Sequence, residues 1–156
     1  MDNMNDLNNR DIKFFYTVPQ NKKAIYNSNT VLLNDEELVF DTYLIEGNNY
    51  IKLRDFARHI NETDRAFNIK WNRITKAVDL TRGEKYNYTE GENSDMEKEA
   101  RANLSTSRFS VDGNICLLDS YLVDGNNYVK LRDICHVVGI DVEWDAEKEQ
   151  VVLDAN

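Results

Sequence analysis

A chain of 156 residues with 41% apolar and 30% charged side chains has the composition of a soluble globular protein. Its net charge of −9 argues against nucleic acid as a partner, because no stripe of Lys and Arg offsets the repulsion of phosphate backbones. No apolar run approaches the roughly 18 residues of a membrane span, which argues against membrane insertion.

Residues 1–29 read as an N-terminal tail, rich in Asn and Asp over 1–13. Within it, Phe14-Phe-Tyr-Thr-Val18 is a β-prone run stopped by Pro19, a candidate edge strand, and 20–29 read as a connector. The first ten residues have neither the basic start nor the apolar core of a secretory signal. That leaves two expectations: a cytoplasmic protein, or one whose export signal has been removed.

From Thr30 onward the pattern becomes regular. Val31-Leu-Leu33 predicts a short strand and Asn34-Asp35 a turn. A longer strand is expected over Leu38-Val-Phe-Asp-Thr-Tyr-Leu-Ile45, a hairpin turn at Glu46-Gly47-Asn48-Asn49, and a return strand at Tyr50-Ile-Lys52. The period then changes from two to 3.6. Leu53, Phe56, Ala57 and Ile60 fall on one face of a helix whose first turn holds Asp55. Phe67-Asn-Ile-Lys-Trp71 and Ala77-Val-Asp-Leu80 predict a closing hairpin.

The decisive feature is that this order occurs twice. Tyr43-Leu-Ile-Glu-Gly-Asn-Asn-Tyr-Ile-Lys-Leu-Arg-Asp55 returns 78 positions later as Tyr121-Leu-Val-Asp-Gly-Asn-Asn-Tyr-Val-Lys-Leu-Arg-Asp133, with only Ile/Val and Glu/Asp exchanges. The second copy runs from Phe109-Ser-Val111 through a strand over 115–123 and the turn Asp124-Gly125-Asn126-Asn127. The strand at Tyr128 and a helix ended by Gly139 follow, and a hairpin carrying Trp144 closes the copy. Trp71 and Trp144 are 73 apart, so the first copy has five extra residues at 61–65. Four segments result: the tail 1–29, repeat one at 30–83, an acidic and polar linker at 84–107, and repeat two at 108–156. Met96 to Leu104 reads as a short helix or a surface linker. The expected fold class is α+β: two tandem β-β-β-α-β-β repeats, each a small antiparallel sheet packed on one short helix. Units of about 50 residues are marginal alone, so the copies are expected to pack on each other or on another chain.

The doubled Gly-Asn-Asn-Tyr…Lys-Leu-Arg-Asp motif, with Phe67-Asn-Ile-Lys-Trp71 and Val142-Glu-Trp144-Asp145, resembles the copper amine oxidase N-terminal domain-like, or stalk, repeats. The resemblance covers roughly residues 25–155. It implies tandem modules of exported Gram-positive proteins, hence an extracellular or cell-wall-associated setting. It does not imply copper chemistry. The chain has two histidines, His59 and His136, at positions that do not correspond between the copies, so no metal and no cofactor are expected.

Candidate chemistry is weighed against packing at each motif. Arg54-Asp55 and Arg132-Asp133 suit a carboxylate or sugar hydroxyl through the Arg fork, but their repetition at the same strand-to-helix junction favours a structural role. The same holds for Tyr50 and Tyr128, and tight turns account for Gly47, Asn48, Asn49 and Gly125, Asn126, Asn127 without calcium. Cys135-His136 is not expected to act as nucleophile and base, since helix neighbours point about 100° apart. Cys116 and Cys135 read as two small apolar thiols, with a disulfide as the alternative. No catalytic residues are expected. A binding site belongs where the copies differ: the 61–65 insertion, the segment Lys85-Tyr-Asn-Tyr88, whose Tyr86 and Tyr88 either stack on sugar rings or pin the linker to the fold, or the groove between the units. The leading expectation is a non-catalytic cell-envelope module for spacing, attachment or protein–protein assembly. Its partners would be a wall glycan, a surface protein, or a second copy joined through sheet edges. The alternatives are a carbohydrate- or peptidoglycan-binding module and, behind it, a hydrolase.

Overall fold

The computed structural model describes residues 21–89 and 95–156, which excludes the candidate edge strand at Phe14–Val18. It overturns the α+β expectation. Most of the described residues are in twelve strands; the helices are short, α1 at Leu53–His59 and α2 at Leu131–Val138. The strands are β1 Asn21–Leu33, β2 Glu36–Ile45, β3 Asn48–Lys52, β4 Phe67–Asn72, β5 Ala77–Arg82 and β6 Glu99–Leu104. They continue as β7 Arg108–Val111, β8 Asn114–Cys116, β9 Ser120–Val123, β10 Asn126–Lys130, β11 Asp141–Asp145 and β12 Gln150–Asp154.

Six strands close a barrel in the order β1-β2-β3-β10-β9-β6, with β6 returning to β1. Three come from each copy. At one seam, β3 and β10 are antiparallel, with Ile51 opposite Val129 and each Tyr of the motif opposite the other copy's Lys. At the other seam, Lys23 lies opposite Arg101. Both central pairs are separated by 78 residues, so a pseudo-twofold axis relates the two halves of the barrel.

The reading as two separate sheets fails for a second reason. Each copy's closing hairpin joins the first strand of the other copy. Strand β12 runs parallel to β1, with Val31 opposite Val151, and β5 runs parallel to β7, with Val78 opposite Phe109. The copies are thus interlocked: β11–β12 extends the barrel sheet, while β4, β5, β7 and β8 form a second sheet. Segments read as connector (20–29) and as linker or helix (96–104) turn out to supply barrel strands β1 and β6. The single strand expected over 115–123 is split into β8 and β9.

Alternation along the strands divides the core in two. The barrel interior holds Tyr43, Tyr50, Tyr121 and Tyr128 with Ala24, Ile45, Ala102 and Val123. Tyrosines pair across the copies, Tyr43 with Tyr128 at 5.3 Å and Tyr50 with Tyr121 at 5.2 Å between ring centroids. Outside the barrel, the predicted face of α1 (Leu53, Phe56, Ala57 and Ile60) and the buried face of α2 (Leu131, Ile134, Cys135 and Val138) cover Phe40, Ile51 and Val129. Phe40 stands edge-on to Phe56 at 6.3 Å and stacks on His59 at 4.4 Å. Gly139, at φ +82°, ends α2 as expected. Cys135 is fully buried and Cys116 partly so, and the two are not bonded to each other.

Burial raises the pKa of all four barrel tyrosines above 10.0, Tyr50 to about 12. A folded-state value above the unfolded one favours the fold below pH 10, and that contribution is lost as pH rises through the folded values. Alkaline titration is therefore expected to show these phenols ionising late, together with loss of far-UV circular dichroism above pH 10. Full tyrosinate absorbance at pH 10.5 with the fold intact would contradict the buried placement.

Candidate functional site

Where α1 begins, the main chain leaves β3 at Lys52 and turns into the helix through Leu53 and Arg54. Three other segments converge on this corner: the outer strand β4, the segment after β5, and the β9–β10 turn of the second copy. They enclose a cleft of about 380 Å³ lined by Lys52, Arg54, Trp71, Tyr86, Asn126 and Asn127 among others. It lies between the units, one of the three places the sequence nominated.

Trp71 is the wall of this cleft and is 58% exposed, unusual for so large an apolar side chain. Its other side faces a second depression with Lys76, Thr106, Ser107 and Arg108. Four cations therefore surround one exposed indole, and among the described residues no carboxylate lines either depression. None of the four has an ion-pair partner among the described residues. Lys52 is 4% exposed and lines the cleft, and among the described residues no carboxylate is within ion-pair distance of it. Its repeat counterpart Lys130 is close to Asp119, at 3.9 Å. An anion entering this corner would meet Lys52 and Arg54 with no lining carboxylate to compete, so the corner suits negative charge.

The nominated tyrosines divide. Tyr86 is 7% exposed and belongs to the core, its backbone clamped by Asn61, whose Oδ1 accepts from the Tyr86 amide at 2.7 Å and whose Nδ2 donates to its carbonyl at 3.0 Å. Asn61 comes from the five-residue insertion, so that insertion secures the segment beneath the cleft. Tyr88 is 45% exposed and stacks on Tyr86 at 6.2 Å. Trp71 lines the cleft together with Tyr86, whereas Tyr88 is not among its lining residues.

The repeated motif mostly serves the fold. Tyr50 and Tyr128 are inside the barrel, and Gly47 and Gly125 hold positive φ in the turns. Asn49 accepts hydrogen bonds from Thr42 Oγ1 at 3.0 Å and Asn27 Nδ2 at 3.1 Å, and Asn127 accepts one from Ser105 at 3.1 Å. Asp55 meets Arg58 one turn on, at 3.6 Å. Arg54 departs from this pattern by lining the cleft, whereas among the described residues its counterpart Arg132 does not line the depression beside Trp144. Trp144 is equally exposed, but its depression contains Glu37 and Glu149, the latter at the position of Lys76. Lys52, Lys76 and Arg108 were not nominated from the sequence, and Trp71 was singled out only as part of the structural repeat motif. The signal was present in the copy-to-copy differences Lys76/Glu149 and Arg108/Thr30.

A sequence profile of the copper amine oxidase N-terminal domain matches residues 32–153. The chain belongs to this family. The copper amine oxidase N-terminal domain is a non-catalytic accessory domain. No curated protein matches the chain, and no solved structure does. The matched span begins inside β1 and ends inside β12, so the copper amine oxidase N-terminal domain here includes both copies and both interlocked hairpins.

Proposed function

We propose that this chain is a non-catalytic cell-envelope module of a Gram-positive bacterium, extracellular or wall-associated, which spaces, attaches or assembles its parent protein. Attachment runs through the Trp71 clefts, which take wall glycan. The observation that carries this reading is the set of four cations around an exposed indole, none with an ion-pair partner among the described residues, in a chain of net charge −9. An indole offers a flat apolar face to a sugar ring, Asn126 and Asn127 offer amides to hydroxyls, and Arg54 presents a fork to a carboxylate.

Retention on purified wall glycan is expected for the intact chain and is expected to weaken as salt is raised, because exposed charge pairs are screened. Trp71→Ala should cost about 2 kcal/mol of binding, roughly thirty-fold, as for a central aromatic contact. Arg54→Ala should lower retention while leaving the fold intact. Tyr86→Ala would be a poor probe, since it removes a core side chain. Equal retention of the intact chain and Trp71→Ala would sink the glycan assignment.

A further inference from the structure

The two closing hairpins are related by the repeat and stand opposite in charge. Hairpin β4–β5 carries Lys70, Arg73, Lys76 and Arg82 against one carboxylate, Asp79. Hairpin β11–β12 carries Asp141, Glu143, Asp145, Glu147, Glu149 and Asp154 against one cation, Lys148. On the first, Lys70 is paired with Glu84 and Arg82 with Asp112, which leaves Arg73 and Lys76 unpaired and exposed. Among the described residues, none of the six carboxylates of the second hairpin has an ion-pair partner.

Both hairpins also end a sheet. Strand β4 lies at one end of the four-stranded sheet, and β11 at the end of the larger one. Each presents an outer main-chain edge, with the Ile69 amide on β4 capped by the Asn68 side chain at 2.9 Å. Apolar surface accompanies both: Trp71 and Ile74 are 58% and 94% exposed on the basic hairpin, and Trp144 is 59% exposed on the acidic one. The strand edge lies in the plane of the sheet, whereas the indole of Trp71 stands out from its face. The main-chain edge of β4 is thus separate from the Lys52 and Arg54 cleft, while Ile74 and Lys76, which border the second Trp71 depression, are common to both readings.

We infer that the partner of these hairpins is a second copy of this chain, the basic β4–β5 hairpin of one molecule docking on the acidic β11–β12 hairpin of the next. Pairing like with like would set Arg73 and Lys76 against themselves, or six carboxylates against six. Opposite charges steer the contact head to tail, and a head-to-tail contact propagates from molecule to molecule instead of closing a twofold dimer. The inference rests on the assembly arm of the proposed function and gives it a partner and a polarity.

Sedimentation of the whole chain tests it. Self-association is expected in about 20 mM salt and is expected to be lost in about 500 mM salt, where the Debye length falls below 5 Å. The variant R73E/K76E carries two acidic hairpins, and E143K/E147K/E149K carries two basic ones. Each alone should sediment as a monomer, and an equimolar mixture should associate again. All substituted positions are exposed, and circular dichroism verifies folding of each variant. A monomeric intact chain at low salt, self-association of either variant alone, or a mixture that stays monomeric would each overturn the inference. If association fails while wall retention persists, the head-to-tail partner is wrong and the attachment reading stands.

Discussion

Severed between Thr89 and Asp95, the two halves of this chain are expected not to fold as separate monomers, and to recover the native far-UV signal when mixed. The reason is the interlocking. The first half contains β1, β2 and β3 but lacks β6, which closes the barrel, and β12, which covers the end of β1. The second half contains β7 but lacks β5, its parallel partner. Each half would expose Ile51 or Val129 at an open edge of three barrel strands, together with half of the tyrosine interior. Such a fragment buries too little apolar surface to offset its chain entropy. The seams are pseudo-symmetric, so a homodimer of one half, built on the same seams, would agree with this account. A monomeric half with a dispersed NMR spectrum would refute it.

Phe56→Ala is expected to destabilise the chain by about 3–5 kcal/mol, the range for removing a fully buried aromatic ring. Phe56 is 0% exposed, edge-on to Phe40 at 6.3 Å and tilted against Phe67 at 6.2 Å. It thus ties α1 to β2 of the barrel and to β4 of the second sheet, three elements that cannot all move into the vacated volume. Its repeat counterpart, Ile134, is equally buried, and Ile134→Ala should cost about 2–5 kcal/mol. Chemical denaturation measures both. A loss below about 1 kcal/mol for Phe56→Ala would mean that the helix does not anchor the two sheets as described. Trp71→Ala, by contrast, should leave the denaturation midpoint nearly unchanged, which separates the cleft's indole from the core's rings.

Local structure was largely legible. The change of period at Leu53 and Leu131 placed both helices, and Glu46-Gly-Asn-Asn and Asp124-Gly-Asn-Asn placed both turns, because these signals depend on neighbours in the chain. Strand β6 was missed because Glu99-Ala-Arg-Ala-Asn-Leu104 shows little apolar alternation; only Ala102 is fully buried, inside the barrel. Displacement by 78 does align Ala24 with Ala102 and Lys23 with Arg101, a weak cue that both segments repeat one strand. Sugar stacking and pinning of the linker were equal readings of Tyr86, because nothing local reveals that Asn61, 25 residues earlier, holds its backbone.

By itself the sequence determined the duplication, the helices, the turns, the apolar faces and the family, all of which follow from side-chain period and from residues near one another in the chain. Only the tertiary structure decided which strand pairs with which. The hairpin at 67–82 offers the same edge to either copy's first strand, and the choice of β7 over β1 depends on burying both helix faces and four tyrosines at once. That choice brings Lys52 and Arg54 of one copy beside Asn126 and Asn127 of the other, with Trp71 over them. A cleft assembled across 75 residues of sequence has no local signature, because its cations, indole and amides come together only once the chain has folded.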